Sequence, residues 1–268
     1  GLLRFRRHPF QLVHAIAERG QDVVDHALDL GLGRRREILL HVQLADGVAE
    51  LNGALFYTEY DDLQTSVFDG VVGFNVQNAG KATTQGMELD GRWMLHEYFT
   101  LSGSLGYLDF EFDDFDVAQC WFGQAQLEPD RVTNAALSQC DASGERKEFT
   151  PEWKGVVTAD FNYPVTDGLE LRAMVDLQYT DEYLWTPQLD PRSQQDAFTK
   201  VNARIALAES SSDTWEVALI GNNLTDERTH SYGGTGVLAG TLTGGTGMAY
   251  YAFTDRPRSY SLQGTYRF

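Results

Sequence analysis

From Val42 to Phe268 the sequence repeatedly alternates apolar and polar residues with a period of two. Because successive side chains of a β-strand point to opposite faces, this pattern predicts strands with one apolar face and one polar face. Eight segments show it: AELNGALFY, MELDGRWML, FTLSGSLGY, WKGVVTADFNY, LELRAMVDLQY, VNARIAL, WEVALIGNN and YSLQGTYRF. The sequence therefore predicts an antiparallel, all-β fold of about eight strands.

The connections between these segments alternate between short and long. Tight turns rich in Pro, Gly, Asp and Ser fall near 95–98, 164–168 and 209–213, and long polar segments near 66–80, 113–148, 185–196 and 227–257. Outer-membrane β-barrels have short turns at one end and long external loops at the other. The spacing favours a transmembrane β-barrel segment.

Two other architectures would produce the same alternation. A soluble, secreted, ligand-binding β-protein would turn the apolar face inward, and a self-contained eight-stranded barrel with a structural or adhesive role could close at this strand number. The aromatic residues favour a membrane, because they lie toward the strand ends, where amphipathic rings prefer the interface. They are Tyr57, Trp93, Tyr107, Trp153, Tyr163, Tyr179, Trp215 and Tyr260.

Charge and hydropathy exclude two classes of function. The formal net charge of −18 would repel a nucleic acid, so no nucleic-acid partner is expected. No apolar run approaches the ~20 residues of a membrane-spanning helix.

Residues 1–41 differ from the rest of the chain and are left unassigned, with 42–268 as the barrel portion. HAIAERGQDVVDHALDL has helix-like spacing, and the basic start is not followed by the apolar segment of a signal peptide. A short helix, an unrelated fusion or an artefact of the reading frame are the interpretations that remain open.

The chain has two cysteines, Cys120 and Cys140, both in a polar, turn-rich stretch. Their position fits an oxidising compartment and one disulfide that closes a loop, with two free thiols as the alternative.

Three segments together resemble the C-terminal β-barrel of TonB-dependent outer-membrane receptors. They are NAGKATTQGMELDGRWMLHEYFTLSGSLGYLDFEFDDF, GNNLTDE and RPRSYSLQGTYRF, in the order usual for that family. Such receptors close ~22 strands around a plug, so the resemblance implies that this chain is an open part of a larger barrel. No plug-like or TonB-contacting segment is recognised before the strands.

The resemblance also implies a function and its partners. It implies uptake of a scarce ligand, such as a ferric siderophore, across the outer membrane of a Gram-negative bacterium, with energy from the TonB complex. Outer-membrane lipid and the outer-membrane assembly machinery are the further partners implied. The assembly machinery is expected to read Leu262, Tyr266 and the terminal Phe268, although a terminal Phe is also an ordinary aromatic residue of the membrane interface.

Aromatic residues in the long polar segments are the candidates for ligand contact, with packing within the loops as the alternative for each of them. They are Trp121, Phe122, Tyr183, Trp185, Tyr232, Tyr250 and Tyr251. No nucleophile elbow, phosphate-binding loop or metal-ligand spacing stands out from Val42 onward, so no catalytic residue, metal or cofactor is expected.

Overall fold

The structure is a computed structural model, and it describes residues 24–29, 34–44, 47–68, 74–78, 80–211, 213–236 and 247–268. These residues form β-strands joined by turns and loops, with one short helix, α1 (Gln124–Leu127), and two 3₁₀ turns, Pro129–Arg131 and Pro191–Ser193. None of the described helices has the length and apolar character needed to cross a bilayer.

The strands of the described residues are numbered in chain order. They are β1 (Val24–Asp29), β2 (Arg34–Leu44), β3 (Ala49–Asp61), β4 (Gln64–Phe68), β5 (Phe74–Asn78), β6 (Lys81–His96), β7 (Phe99–Asp114), β8 (Ala118–Gln119), β9 (Val132–Asn134), β10 (Gln139–Cys140), β11 (Trp153–Thr166), β12 (Leu169–Thr180), β13 (Tyr183–Leu184), β14 (Gln194–Gln195), β15 (Phe198–Glu209), β16 (Trp215–Asn222), β17 (His230–Thr235), β18 (Tyr250–Thr254) and β19 (Ser259–Tyr266).

Ten of these strands form one antiparallel sheet, in the order β1-β2-β3-β6-β7-β11-β12-β15-β16-β19. Within the described residues, β1 pairs only with β2 and β19 pairs only with β16, so the sheet is open. Residues Leu51–Tyr57 pair with β2 and β6 instead of with the last strand. The expected open sheet with the last strand at one edge is confirmed, and the closure required by a self-contained eight-stranded barrel is not found.

Eight strands of the sheet, β3, β6, β7, β11, β12, β15, β16 and β19, correspond to the eight predicted segments. The other two, β1 and β2, begin within the unassigned residues 1–41, and β1 lies in the segment with helix-like spacing. The helix-like spacing of residues 14–30 does not hold for Val24–Asp29, which is a strand, and the boundary at residue 42 falls inside β2. Pairing overrides local spacing here, because β1 pairs along its length with β2, and β2 pairs with β3. Residues 1–23 and 30–33 lie outside the described residues.

One face of the sheet leaves large apolar side chains exposed. Leu55 is 54% exposed, Val175 46% and Leu219 53%, all at outward positions of the predicted alternation. A soluble sandwich would bury this face against a second sheet. The exposure therefore argues against the soluble alternative and favours contact of this face with lipid.

Aromatic rings lie near both ends of this apolar face. On β11, Trp153 packs 4.8 Å from Tyr107, while Tyr163 packs 5.2 Å from Tyr98. Trp153 and Tyr163 are ten residues apart, and a tilted strand of about 9–11 residues spans the hydrocarbon of a bilayer. The two aromatic rows thus mark a band of the height that a membrane requires.

Candidate ligand-binding loops

The long loops all leave the same end of the sheet, because the long connections follow β3, β7, β12 and β16, whereas the short turns follow β6, β11 and β15, which run in the opposite direction. Three of them pack together and are named here loop A (115–152, between β7 and β11), loop B (181–197, between β12 and β15) and loop C (the described residues 223–236 and 247–258, between β16 and β19). All seven candidate residues lie in these loops. Loop A contains Trp121 and Phe122, loop B contains Tyr183 and Trp185, and loop C contains Tyr232, Tyr250 and Tyr251.

Loop A has a small fold of its own. β8, β10 and β9 form a three-stranded sheet, and Cys120 and Cys140 form a disulfide across it. Trp121, next to the bridge, is buried, and its backbone N–H donates to the side-chain Oε1 of Gln124 at 3.1 Å. Phe110, Phe112 and Phe115 pack ring against ring and belong to the apolar cluster that connects β7 to loop A.

Loop B turns around a buried carboxylate. Asp190 is fully buried and accepts hydrogen bonds from the backbone N and the side-chain Nε of Arg192, both at 2.9 Å. Thr186 and Ser193, also fully buried, share a hydrogen bond of 2.7 Å between their hydroxyl groups. These polar contacts help to fix the shape of this loop, together with Leu189, which joins the apolar cluster of loop A.

Loop C reaches loop B through Tyr250 and His230. The Tyr250 hydroxyl donates to Asp190 Oδ2 at 2.5 Å, and the His230 ring stacks on Trp185 with ring centres 5.3 Å apart. A Cβ atom at Gly233 would lie 2.2 Å from the Trp185 ring, so the close approach of β17 requires glycine at this position. Loops B and C are thus closely packed against each other.

These contacts shift the pKa values of both groups of the central hydrogen bond. Burial acts to raise the pKa of Asp190, but hydrogen bonds from Arg192 and Tyr250 outweigh it, so the pKa lies below its usual value. Burial, followed by the hydrogen bond to Asp190, raises the pKa of Tyr250 to about 12. At neutral pH Asp190 is therefore an anion and Tyr250 a neutral donor.

A second polar group joins loop C to the inner face of the sheet. Lys200 of β15 donates from Nζ to Thr229 Oγ1 at 2.6 Å and to Asp255 Oδ2 at 2.7 Å, and Thr229 donates to the same carboxylate at 2.6 Å. Thr229 is fully buried. This group holds the two ends of loop C over the sheet.

Nearer the short turns, an ion-pair network covers the inner face. Glu216 is buried between Arg172, at 3.3 Å, and Arg204, while Asp213 pairs with Arg172 and Arg267. Charged residues assigned to the inward face by their alternation are thus paired with one another and with Asp213 of a short turn, across β12, β15, β16 and the residue that follows β19. The two faces of the sheet differ as predicted.

The structure divides the candidate ligand-contact residues into three groups. Trp121 and Trp185 are buried, whereas Tyr232 and Tyr251 are 54% and 46% exposed, with their ring centres 6.3 Å apart. The other three, Phe122, Tyr183 and Tyr250, make contacts between loops. Phe122 contacts Arg192, Tyr183 donates to the His230 carbonyl at 2.7 Å, and Tyr250 contacts Asp190.

Sequence reasoning missed three residues in these loops. Phe253 is 61% exposed and lies 6.0 Å from the Tyr232 ring and 6.4 Å from the Tyr251 ring. Its spacing of two from Tyr251 on β18 was the available signal. Arg192 and Asp190 left no such signal, because their partners in the other loops, Phe122 and Tyr250, are 70 and 60 residues away along the chain.

The residues expected to form an assembly signal lie on the free outer face of the last strand. Leu262 and Tyr266 of β19 are 76% and 68% exposed, and Phe268 is fully exposed. The rings of Tyr266 and Phe268 lie 6.3 Å apart. All three are accessible to a partner.

Three solved structures resemble this one in fold. They are the ferric yersiniabactin uptake receptor of Yersinia pestis (TM-score 0.59, 16% identity, 87% of this chain and 29% of that one), the siderophore receptor PiuA of Acinetobacter baumannii (0.59, 16%, 87% and 28%) and the ferric-catecholate import receptor Fiu of E. coli (0.56, 17%, 88% and 27%). This chain spans less than a third of the length of each.

Sequence comparisons identify the family. A search of curated proteins finds no match. The family model described as TonB dependent receptor-like, beta-barrel matches residues 37–224, which is more than half of the chain and begins inside β2. This match and the open sheet with its long loops lead to one conclusion: the chain belongs to the family of TonB-dependent receptor β-barrels, which are transport receptors and not enzymes.

Proposed function

We propose that this chain forms part of the barrel wall of an outer-membrane receptor that takes up a scarce ligand with energy from the TonB complex. The family match over residues 37–224 is the observation that carries the proposal. The open sheet supports it, because ten strands with one apolar and one charged face suit a segment of a wider barrel around an aqueous lumen.

The proposed location is the outer membrane of a Gram-negative bacterium. The exposed apolar face would contact lipid, and the two aromatic rows would lie at its interfaces. The long loops would then face the outside and the short turns the periplasm. Leu262, Tyr266 and Phe268 are proposed as the segment that the outer-membrane assembly machinery recognises.

A ferric siderophore is the ligand class proposed first, because the three similar structures are described as siderophore or ferric-chelate receptors. We place the first ligand contact at the exposed rings of Tyr232, Tyr251 and Phe253, which could stack on a planar ligand. The buried Trp121 and Trp185 shape the loops instead. No catalytic step, resident metal or cofactor is part of this function.

Uptake measurements test the proposal directly. The host strain and a strain that lacks this gene are supplied with radioactive iron bound to a panel of siderophores, with and without a functional TonB. The proposal expects one chelate whose uptake requires both the gene and TonB. Uptake of every chelate at the wild-type rate in the deletion strain would reject the iron ligand. Growth tests with other scarce nutrients would then decide whether the transport function itself stands.

A matched pair of variants tests the contact site. Tyr251→Ala removes an exposed loop ring and should weaken uptake at low ligand concentration. Tyr163→Ala removes an aromatic ring from the short-turn end of the same sheet and should leave uptake unchanged once protein amounts are equalised. Equal uptake by the two variants would remove Tyr251 from the ligand site.

A further inference from the structure

Arg192 in loop B contacts all three loops at once. Its Nη2 donates to the carbonyl oxygen of Phe122 in loop A and, at 2.9 Å, to Asp190 in its own loop. Its guanidinium carbon lies 5.4 Å from the centre of the Trp121 ring in loop A and 5.7 Å from that of the Tyr250 ring in loop C. These are distances at which a cation is attracted to an aromatic face.

The charge of Arg192 is already neutralised by the buried carboxylate. Asp190 accepts from the Nε and Nη2 atoms of Arg192 in the bidentate arrangement that makes such pairs strong, and it also accepts from the Tyr250 hydroxyl. This arrangement leaves little unbalanced charge for an anionic ligand. It suits a residue that joins parts of the protein.

Loop A presents its side of this contact from a fixed position. Trp121 and Phe122 directly follow Cys120, whose disulfide with Cys140 closes the three-stranded sheet, and the Cys120 N–H donates to the Ser138 carbonyl at 2.9 Å. A further hydrogen bond between the loops runs from Gln188 Nε2 to Gln119 Oε1 at 3.0 Å. The disulfide-closed sheet is thus the firm point to which loop B is attached.

We propose that Arg192 and Asp190 form a latch that makes loops A, B and C a single cooperative unit. Breaking the latch releases loop B from loop A and from loop C together, although the bonds that Arg192 makes to these two loops are separate. This inference concerns the loops themselves and does not depend on the identity of the ligand.

Hydrogen exchange measured by mass spectrometry tests the latch on the full protein, extracted in detergent from the cells that make it. Arg192→Ala should raise amide exchange by about tenfold or more in two separate segments, 120–127 of loop A and 250–255 of loop C. Tyr250→Phe, which removes only the hydroxyl group, should raise exchange in loops B and C. Arg192→Lys keeps the charge but loses the bidentate contact, so it should resemble the alanine variant.

Arg131→Ala is the matched control. Arg131 donates to the carbonyl groups of Asp141 and Ser143 and pairs with Glu145, all within loop A. Its removal should therefore raise exchange in loop A alone. The latch is wrong if Arg192→Ala changes exchange only within 181–197, or if Arg131→Ala changes loop C as much as Arg192→Ala does. If Arg192→Ala does not fold, the lysine and Tyr250→Phe variants provide the same comparison.

Discussion

Val175 and Asp176 are consecutive residues of β12 that lie on opposite faces of the sheet. Val175 is 46% exposed at a position flanked across the strands by Ala159 and Ala203, whereas the Asp176 carboxylate accepts from the side-chain amides of Asn202 and Gln178 at 2.8 and 2.9 Å. One residue step therefore separates the apolar face from the polar face.

This relationship provides a test of the membrane-facing side. Val175→Arg should cost about 2–4 kcal/mol of barrel stability, because a guanidinium near the middle of a strand would enter the hydrocarbon region. Asp176→Arg should be far milder, since that side chain faces the polar interior. Equilibrium unfolding in lipid vesicles measures both variants. Equal stability of Val175→Arg and the wild type would show that this face does not contact lipid.

The hydroxyl of Tyr250 provides a pH test. Because its pKa in the folded protein is about 12, above the ordinary value of 10.0, the folded state favours the neutral tyrosine. Its contribution to stability is complete below pH 10 and falls as the pH rises through 12. Spectroscopic titration of the wild type against Tyr250→Phe should show one late-titrating tyrosine missing from the variant. Identical titration curves would contradict the buried hydrogen bond to Asp190.

The carboxylate of Asp190 should affect stability at acidic pH, whereas Tyr250 affects it at alkaline pH. Because the pKa of Asp190 in the folded protein lies below the ordinary value of 3.8, the ionised carboxylate stabilises the folded state fully above pH 3.8. This stabilisation is lost as the pH falls through the lower pKa of the folded protein. Asp190→Asn should loosen loop B by about 1–3 kcal/mol, because an amide offers one acceptor where Arg192 and Tyr250 require more. Local hydrogen exchange in 185–195 measures the change. Asp196→Asn, at an exposed carboxylate in the same loop, is the control.

Gly233 tests the packing of loop C on loop B. Gly233→Ala should destabilise this contact by about 1–3 kcal/mol, because the added methyl group would meet the Trp185 ring and the Tyr251 carbonyl oxygen. Gly264→Ala, where nothing lies within 4 Å of the new Cβ, is the matched substitution on β19. Thermal unfolding and tryptophan fluorescence should change for the first variant only. A wild-type response from Gly233→Ala would mean that Trp185 and β17 are not in contact.

The disulfide is testable by chemistry alone. Mass spectrometry of non-reduced peptides from the cell envelope should recover Cys120 linked to Cys140. In the chain-entropy model a loop of this length gains about 3 kcal/mol from such a bridge. Paired Cys→Ser variants should loosen 120–140 while the main sheet stays paired. Free thiols in freshly isolated protein would contradict the bridge.

The strands of the main sheet were predictable because a sheet with one apolar and one polar face requires a strict alternation along each strand. Along β12, six outward positions are apolar and their neighbours are mostly charged or polar, so the sequence carries the face assignment directly. β1 and β2 were missed because RRREILLHVQL places its charges at one end and its apolar residues in a run. Their strand conformation depends on the pairing of β1 with β2 and of β2 with β3, which a local pattern does not record.

The loops were much less predictable than the strands. The sequence identified aromatic residues in polar segments but could not separate Trp185, which is buried under β17, from Tyr251, which is exposed on β18. That difference depends on contacts between chain segments far apart in sequence. The same holds for Asp190, whose partner Tyr250 lies in another loop. The regular geometry of a strand requires a periodic pattern in the sequence, whereas an irregular loop requires none.

The order of strands in the main sheet has a consequence for how the molecule forms. Every pair of neighbours, including β16 and β19, consists of strands that follow one another in the meander. Within the described sheet, each strand between the two edge strands pairs with the strand before it and the strand after it in the meander. The contact order of the strand pairing is therefore low for a β-protein. The sheet can consequently grow hairpin by hairpin, with each completed strand offering its edge as the template for the next.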